Sequence, residues 1–279
     1  MSYRTIAVHL EAGPRCATRV ALAARLAVRH GSRLVGIAPT GLPDVIVALN
    51  SAISDAIECI ALSAADLREN AQAAARAFER ECKRAGVASF RAEVVVDEAV
   101  EAVVRVGRCS DLIVVGQTDV GAPIHGLAPD FPQQVLLHAG PAVLVVPYAG
   151  TFGSLGERIL IGWKDTREAA RALRDALPLL RDSRRITLVE VGPVRSEVRA
   201  DDSLAAATAW LDSHGLRCDA HREIKLAGVG DQLLSRTRDL DADLVVCGGY
   251  GHSRLREWAL GGVTRHLLAH TTVPTLLSH

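Results

Sequence analysis

Short unbroken aliphatic runs recur along this chain, and segments with apolar residues three or four apart separate them. Runs of four to six apolar residues suit strands buried on both faces, and the 3–4 spacing suits helices with one buried side. The pattern predicts strands near residues 4–10, 33–38, 90–96, 111–116 and 142–146, and again near 158–163, 186–191, 219–224, 243–248 and 274–278. Helical spacing is clearest over 15–29, 66–85 and 168–181. Strands alternating with helices imply βαβ units and a parallel sheet.

The pattern is written twice. Ser110-Asp111-Leu112-Ile113-Val114-Val115-Gly116 returns as Ala242-Asp243-Leu244-Val245-Val246-Cys247-Gly248, and each half closes on a proline-led strand, from Pro141 and from Pro274. A repeat this long is a duplicated domain. The expected domains are residues 1–148 and 157–279, joined by a linker rich in glycine (Gly150, Gly153, Gly156). The fold class is α/β, with two tandem five-stranded parallel-sheet Rossmann-like domains. The first half has extra residues around Leu42 to Ala65, apolar at helical spacing (Val45, Leu49, Ile53, Ile57, Ile60). They read as an extended helix on its own sheet, or as an apolar flap or dimer surface. Each domain ends in an apolar strand, and the two final strands are expected to pair within the chain, since unpaired edges invite aggregation. A homodimer would use the same kind of edge.

Charge narrows the function classes. Lys+Arg and Asp+Glu both number 32. A neutral chain without a basic run offers no electrostatic pull toward nucleic acid or acidic membranes. The most apolar stretch, residues 45–62, is interrupted by Asn50, Asp55 and Glu58 and is too polar to span a bilayer. Six cysteines without CxxC spacing suit reduced, mostly buried thiols in a cytoplasmic protein, and no zinc or disulfide framework.

The candidate chemistry follows the ninth strand. Gly248-Gly249-Tyr250-Gly251 forms a glycine-rich turn at a strand end, and Gly261-Gly262 precedes the apolar helical run Val263, Leu267, Leu268. In open parallel sheets ligands sit beyond the carboxyl ends of the strands. Glycines there let backbone amides approach phosphate oxygens, and a helix start adds free amides and a favourable dipole. The phosphates of an adenine nucleotide would lie between Gly248–Gly251 and Gly261–Val263, with the base toward Lys164, Asp165 and Val191. His252 and Arg254 in the intervening loop contact phosphates or stand in solvent.

The order Gly248, Gly251, nine residues, Gly261 resembles the G-x-x-G-x9-G-[S/T] motif of nucleotide-binding universal stress proteins. The chain is similar to a tandem two-domain member of that family. The resemblance implies that Gly248, Gly251, Gly261 and Gly262 cradle the phosphates of ATP, with an accompanying magnesium ion. Gly262 stands where the family has Ser or Thr, so a hydroxyl is lost and Thr264 lies two residues on. Lys164 stands where the family tends to place an Asp, and Asp165 follows it.

The first half departs further. Asp119 replaces the second glycine, and Pro129-Asp130 stand at the positions of Gly261-Gly262. Asp130 is expected to cap the following helix with its carboxylate, and an acid in the phosphate seat repels a nucleotide. This half is expected to keep the fold without the site. Catalysis finds no motif: there is no G-x-S-x-G elbow and no Walker sequence. His266 and His270, at i and i+4, read as surface or satisfied histidines more readily than as metal ligands. The expectation is an ATP-binding stress-response or regulatory protein and not an enzyme. The alternatives are a scaffold or dimerisation member that binds no nucleotide, and a weak ATP hydrolase.

Overall fold

In a computed structural model the protein is described at residues 2–41, 56–119, 127–192, 200–251 and 262–279. The density of internal contacts divides the chain into Ser2–Pro141 and Ala142–His279.

The first unit runs β1 (Thr5–His9), α1 (Pro14–His30), β2 (Arg33–Pro39), α2 (Ala56–Ala85), β3 (Ser89–Val95), α3 (Ala99–Gly107), β4 (Leu112–Gly116) and α4 (Phe131–His138). Its strands lie in the order β3-β2-β1-β4, all parallel. Ile6, Ala7, Val8, Leu112, Ile113 and Val114 are fully buried, as continuous aliphatic runs in a two-sided parallel sheet require. The helix expected over 66–85 starts ten residues earlier, at Ala56, and α2 packs on α1, β2 and β3. The helix takes in residues 56–65 of the apolar segment; its residues 42–55, with Val45, Leu49 and Ile53, lie outside the described residues.

The second unit runs β5 (Ala142–Val146), β6 (Arg158–Trp163), α5 (Arg167–Asp175), α6 (Leu177–Leu180), β7 (Arg185–Gly192), α7 (Ala200–Ser213), β8 (Asp219–Ile224), α8 (Val229–Asp239), β9 (Leu244–Gly248), α9 (Gly262–His270) and β10 (Thr275–Ser278). β10, β9, β6, β7 and β8 are parallel neighbours in that order, and β5 pairs antiparallel with β10, Thr275 opposite Val145. The two final strands of the repeats therefore pair, and β5 belongs by contacts with the second unit. The helix expected over 168–181 is two pieces. Pro178 has no N–H to donate to the carbonyl of Arg174, and the chain restarts as α6 after Ala176. β8 is the edge strand of this set; its side chains are mostly exposed, and Arg222–Glu190 (3.0 Å) and Arg185–Asp219 (3.0 Å) pair across the ladder to β7.

One cluster in the first unit is not aliphatic. Arg19, on α1, is buried. Its Nη2 lies 3.0 Å from Glu11 Oε1, and its Nε donates to the carbonyl of His9 at 2.9 Å. His9 is itself buried, with its ring centroid 4.6 Å from that of Phe131. Burial works to lower the Arg19 pKa, but Glu11 raises it, and the guanidinium stays charged. Burial works to raise the Glu11 pKa, but Arg19 and then His9 pull it down, so the carboxylate stays ionised. Burial, partly opposed by Glu11 and reinforced by Arg19, pushes His9 down to about 4, so its imidazole is neutral at pH 7.

The unfolded imidazole titrates near 6.5 and the folded one near 4, so the unfolded chain binds the extra proton between those values. The contribution is present in full above pH 6.5 and is lost as pH falls toward 4, to a total of about 3 kcal/mol. Glu11, also depressed, acts in the same direction at lower pH. Denaturant midpoints measured from pH 7 to pH 4 are expected to fall, and His9→Gln is expected to flatten that fall; equal slopes for both proteins would contradict it.

Candidate functional site

In the second unit β6 and β9 are neighbours; the chain leaves β6 toward β7 and β8 on one side and leaves β9 toward β10 on the other. This is the switch point of the sheet, where a crevice opens beyond the strand ends. The described ones among the predicted residues lie there. Lys164 and Asp165 follow β6, both exposed, in a tight turn where the Thr166 amide donates to the Lys164 carbonyl at 2.7 Å. Val191, partly buried, is the penultimate residue of β7. Gly248 ends β9, and Gly262 and Val263 open α9. His252, Arg254 and Gly261 lie outside the described residues.

Gly248 has a packing reason as well as a ligand one. A Cβ placed on it would lie 2.5 Å from the amide nitrogen of Ala169 and 2.7 Å from the carbonyl carbon of Glu168. The first turn of α5 thus rests on the bare backbone at the end of β9. Thr166 caps that helix, its hydroxyl accepting from the Ala169 amide at 3.3 Å. Gly251 faces the same helix start: its Cβ position is 3.0 Å from Glu168 Oε2 and 3.2 Å from Thr166 Oγ1.

The turn's amides are less available than the sequence suggests. Gly249 N donates to the carbonyl of Ser278 at 2.8 Å. Tyr250 N donates to Thr264 Oγ1 at 3.1 Å, with Tyr250 in the left-handed region at φ 57°. Thr264 is buried, so its hydroxyl ties the glycine turn to the first turn of α9. Gly262 is different: among the described residues nothing lies within 4 Å of its Cβ position, and the residue is exposed. The helix start beside the turn is open, with its dipole directed at whatever sits there.

Sequence reasoning passed over Glu168 and Tyr250. Glu168 reads as an ordinary acid in a first helical turn, yet it is buried and its carboxylate stands beside Gly251. Burial works to raise its pKa, but the adjoining Arg167 guanidinium outweighs this and holds it below the usual carboxylate range. The site therefore contains an anion of its own, paired with Arg167. Only the offset between the two repeats could have signalled Tyr250, since it sits in a turn with glycine on both sides.

His266 and His270 stack on one another at 4.3 Å, with His266 Nε2 2.9 Å from Asp231 Oδ1. Among the described residues no group of three His, Cys, Asp or Glu side chains is placed to hold a metal, and no helix is long and apolar enough to cross a membrane. Of the cysteines, Cys16, Cys82 and Cys247 are buried, Cys218 is partly buried and Cys109 is exposed.

At the corresponding place in the first unit a side chain stands over the end of β4. Gly116 lies under the Arg19 guanidinium, where any Cβ would collide with Nη1. Asp119, at the position of Gly251, pairs with Arg15. Asp130 does stand at the N-cap of α4, but its carboxylate makes no capping bond. The residue has φ −105° and ψ 21°, away from the extended geometry of a cap, and its carboxylate accepts from Gln134 Nε2 at 2.9 Å.

Comparison with known proteins bears on the fold. Residues 156–279 match the universal stress protein family. A universal stress protein of Synechocystis is 29% identical over 90 residues, 32% of this chain and 30% of that protein's length. A universal stress protein from Archaeoglobus fulgidus superposes with a TM-score of 0.73 at 14% identity, covering 98% of this chain and 95% of its own. A functionally unknown protein from Pseudomonas aeruginosa superposes at 0.64 with 16% identity, covering 99% of this chain and 92% of its own. The class is thus a two-domain α/β protein. Its C-terminal domain is a universal stress protein domain, and the fold of such proteins extends over nearly the whole chain.

The contact at Gly248 predicts a stability effect separate from any ligand. Gly248→Ala forces the start of α5 away from β9 and is expected to cost about 1–3 kcal/mol, the usual range for overpacking against a backbone that cannot yield. Gly262→Ala, with open space around it, is expected to change the thermal midpoint little. Equal midpoints for the two variants would contradict the packing assignment.

Proposed function

We propose that the C-terminal domain binds an adenine nucleotide and that the protein is a nucleotide-responsive stress or regulatory protein. The observation that supports this best is the hydrogen bond from Tyr250 N to Thr264 Oγ1. It holds the glycine turn against the first turn of α9 and leaves Gly262 open beside it. The phosphates then sit at the α9 start, where free amides and the dipole favour an anion. The base lies toward Lys164, Asp165 and Val191 at the ends of β6 and β7. ATP is the nucleotide that the resemblance to nucleotide-binding universal stress proteins implies. A magnesium ion would accompany its phosphates. Binding rather than turnover is favoured, because Thr166 is committed to capping α5 and Glu168 to Arg167.

A second reading, a scaffold that takes no nucleotide, is favoured by the Gly249 and Tyr250 amides being used inside the fold and by the missing hydroxyl at Gly262. Calorimetry with ATP and magnesium separates the two. Wild type is expected to bind weakly. Gly262→Ser, which fits the open space, restores one hydrogen bond to a charged group and is expected to tighten binding by about 1.5–3 kcal/mol. Gly262→Asp places a carboxylate among the same amides and is expected to abolish binding while the helix start tolerates it. No heat from wild type or Gly262→Ser at millimolar ATP would leave the scaffold reading standing. Release of phosphate during the titration would identify the hydrolase.

A further inference from the structure

A separate cleft of about 780 Å³ lies between α5 and α7, within the range of small-molecule pockets. None of the glycines discussed above lines it; it shares Asp165 with the base side of the crevice and runs from there along α5 and α7. Its walls are apolar and in part aromatic, with Trp163, Leu173 and Trp210 prominent. Both indoles are held in place: Trp163 Nε1 donates to Ser203 Oγ at 3.0 Å, and the Trp210 ring lies 4.3 Å from that of His214. They present fixed flat surfaces at small entropic cost.

The rim is cationic. Arg167, Arg171 and Arg174 recur at helical spacing along one side of α5, and all three are exposed. Two carboxylates share the lining, Asp165 and Asp175, and Arg167 is paired with Glu168, so the positive charge of the rim is concentrated at Arg171 and Arg174. Asp175 is engaged: it accepts from Ser278 Oγ at 2.8 Å and lies 3.7 Å from Arg171 Nε. Burial, opposed by Ser278 and the two neighbouring arginines, raises its pKa. Arg171 also donates to the carbonyl of His279 at 3.0 Å. Arg174 is the exposed guanidinium of the rim best suited to meet a ligand. Guanidinium groups grip phosphate and carboxylate oxygens in pairs and stack on aromatic rings.

We propose that this cleft binds a small planar aromatic anion, an aryl phosphate or aryl carboxylate, with its ring against Trp163 and Trp210 and its anionic group at Arg174. The nucleotide reading is not required for this site. The test is calorimetry on the full chain with three probes: 1-naphthyl phosphate, 1-naphthol and inorganic phosphate. The naphthyl phosphate is expected to bind at least about tenfold more tightly than either fragment, the scale of one charge-assisted hydrogen bond. Arg174→Gln, at an exposed position, is expected to remove about that factor for the phosphate ester and leave naphthol unchanged. Ala206→Trp, on the exposed side of α7, is expected to fill the cleft and abolish binding with the thermal midpoint retained. Saturating ATP is expected to leave the naphthyl phosphate titration unaltered. The proposal is overturned if naphthyl phosphate does not bind, or if naphthol binds as well as its phosphate. It is overturned equally if both variants bind like wild type, or if ATP displaces the probe and so makes the cleft part of the nucleotide crevice.

Discussion

The end of β9 carries no side chain, and the backbone of α5 occupies the space a side chain would take. With a Cβ position 2.5 Å from the Ala169 amide nitrogen, Gly248 fixes how closely α5 can approach the sheet. The rest of the C-terminal site follows from that approach. Thr166 is placed to cap α5, Glu168 is brought beside Gly251, and the chain beyond β9 must turn within three residues. Tyr250 takes a left-handed conformation to make the turn, and its amide is then directed at Thr264. A left-handed non-glycine residue costs on the order of 1 kcal/mol, which the hydrogen bond to a buried hydroxyl offsets.

The duplicated first half shows what happens to the same topology when side chains take over the crevice. Arg19 lies over Gly116 and is neutralised by Glu11, with a neutral His9 behind them. Buried ion pairs add little net stability, yet breaking one strands a charge at a cost of about 3–5 kcal/mol. A ligand entering there would have to displace a guanidinium from its carboxylate. The acidic residues Asp119 and Asp130 are themselves engaged, one with Arg15 and the other with Gln134.

Much of this was legible in the sequence, because the signals were periodic. Every predicted strand appears within a residue or two of its place, since four to six aliphatic residues in a row have few other uses in a chain that alternates with helices. Pro178 was visible but its break in the helix was not drawn from it. In the site, glycine spacing located the turn and the helix start, but it could not say which amides were already used. That depends on Ser278 and Thr264, which reach the turn through the sheet and through α9. Glu168 and Arg19 were hidden for a related reason. Each is an unremarked charged residue on an amphipathic helix, and its importance comes only from the glycine that lies opposite it in space.

The hydrogen bond from Gly249 to Ser278 makes the turn a continuation of the ladder between β9 and β10. His279 Nδ1 lies 3.1 Å from the Gly249 carbonyl, so the turn is held on both its polar sides. β10 is in turn hydrogen-bonded along its other edge to β5. The turn is thus pre-ordered by the sheet, and a guest there spends little free energy on fixing the backbone. The same stiffness works outward: any displacement of Gly249 has to be shared by Ser278, and through β10 it reaches the strand that closes the first repeat.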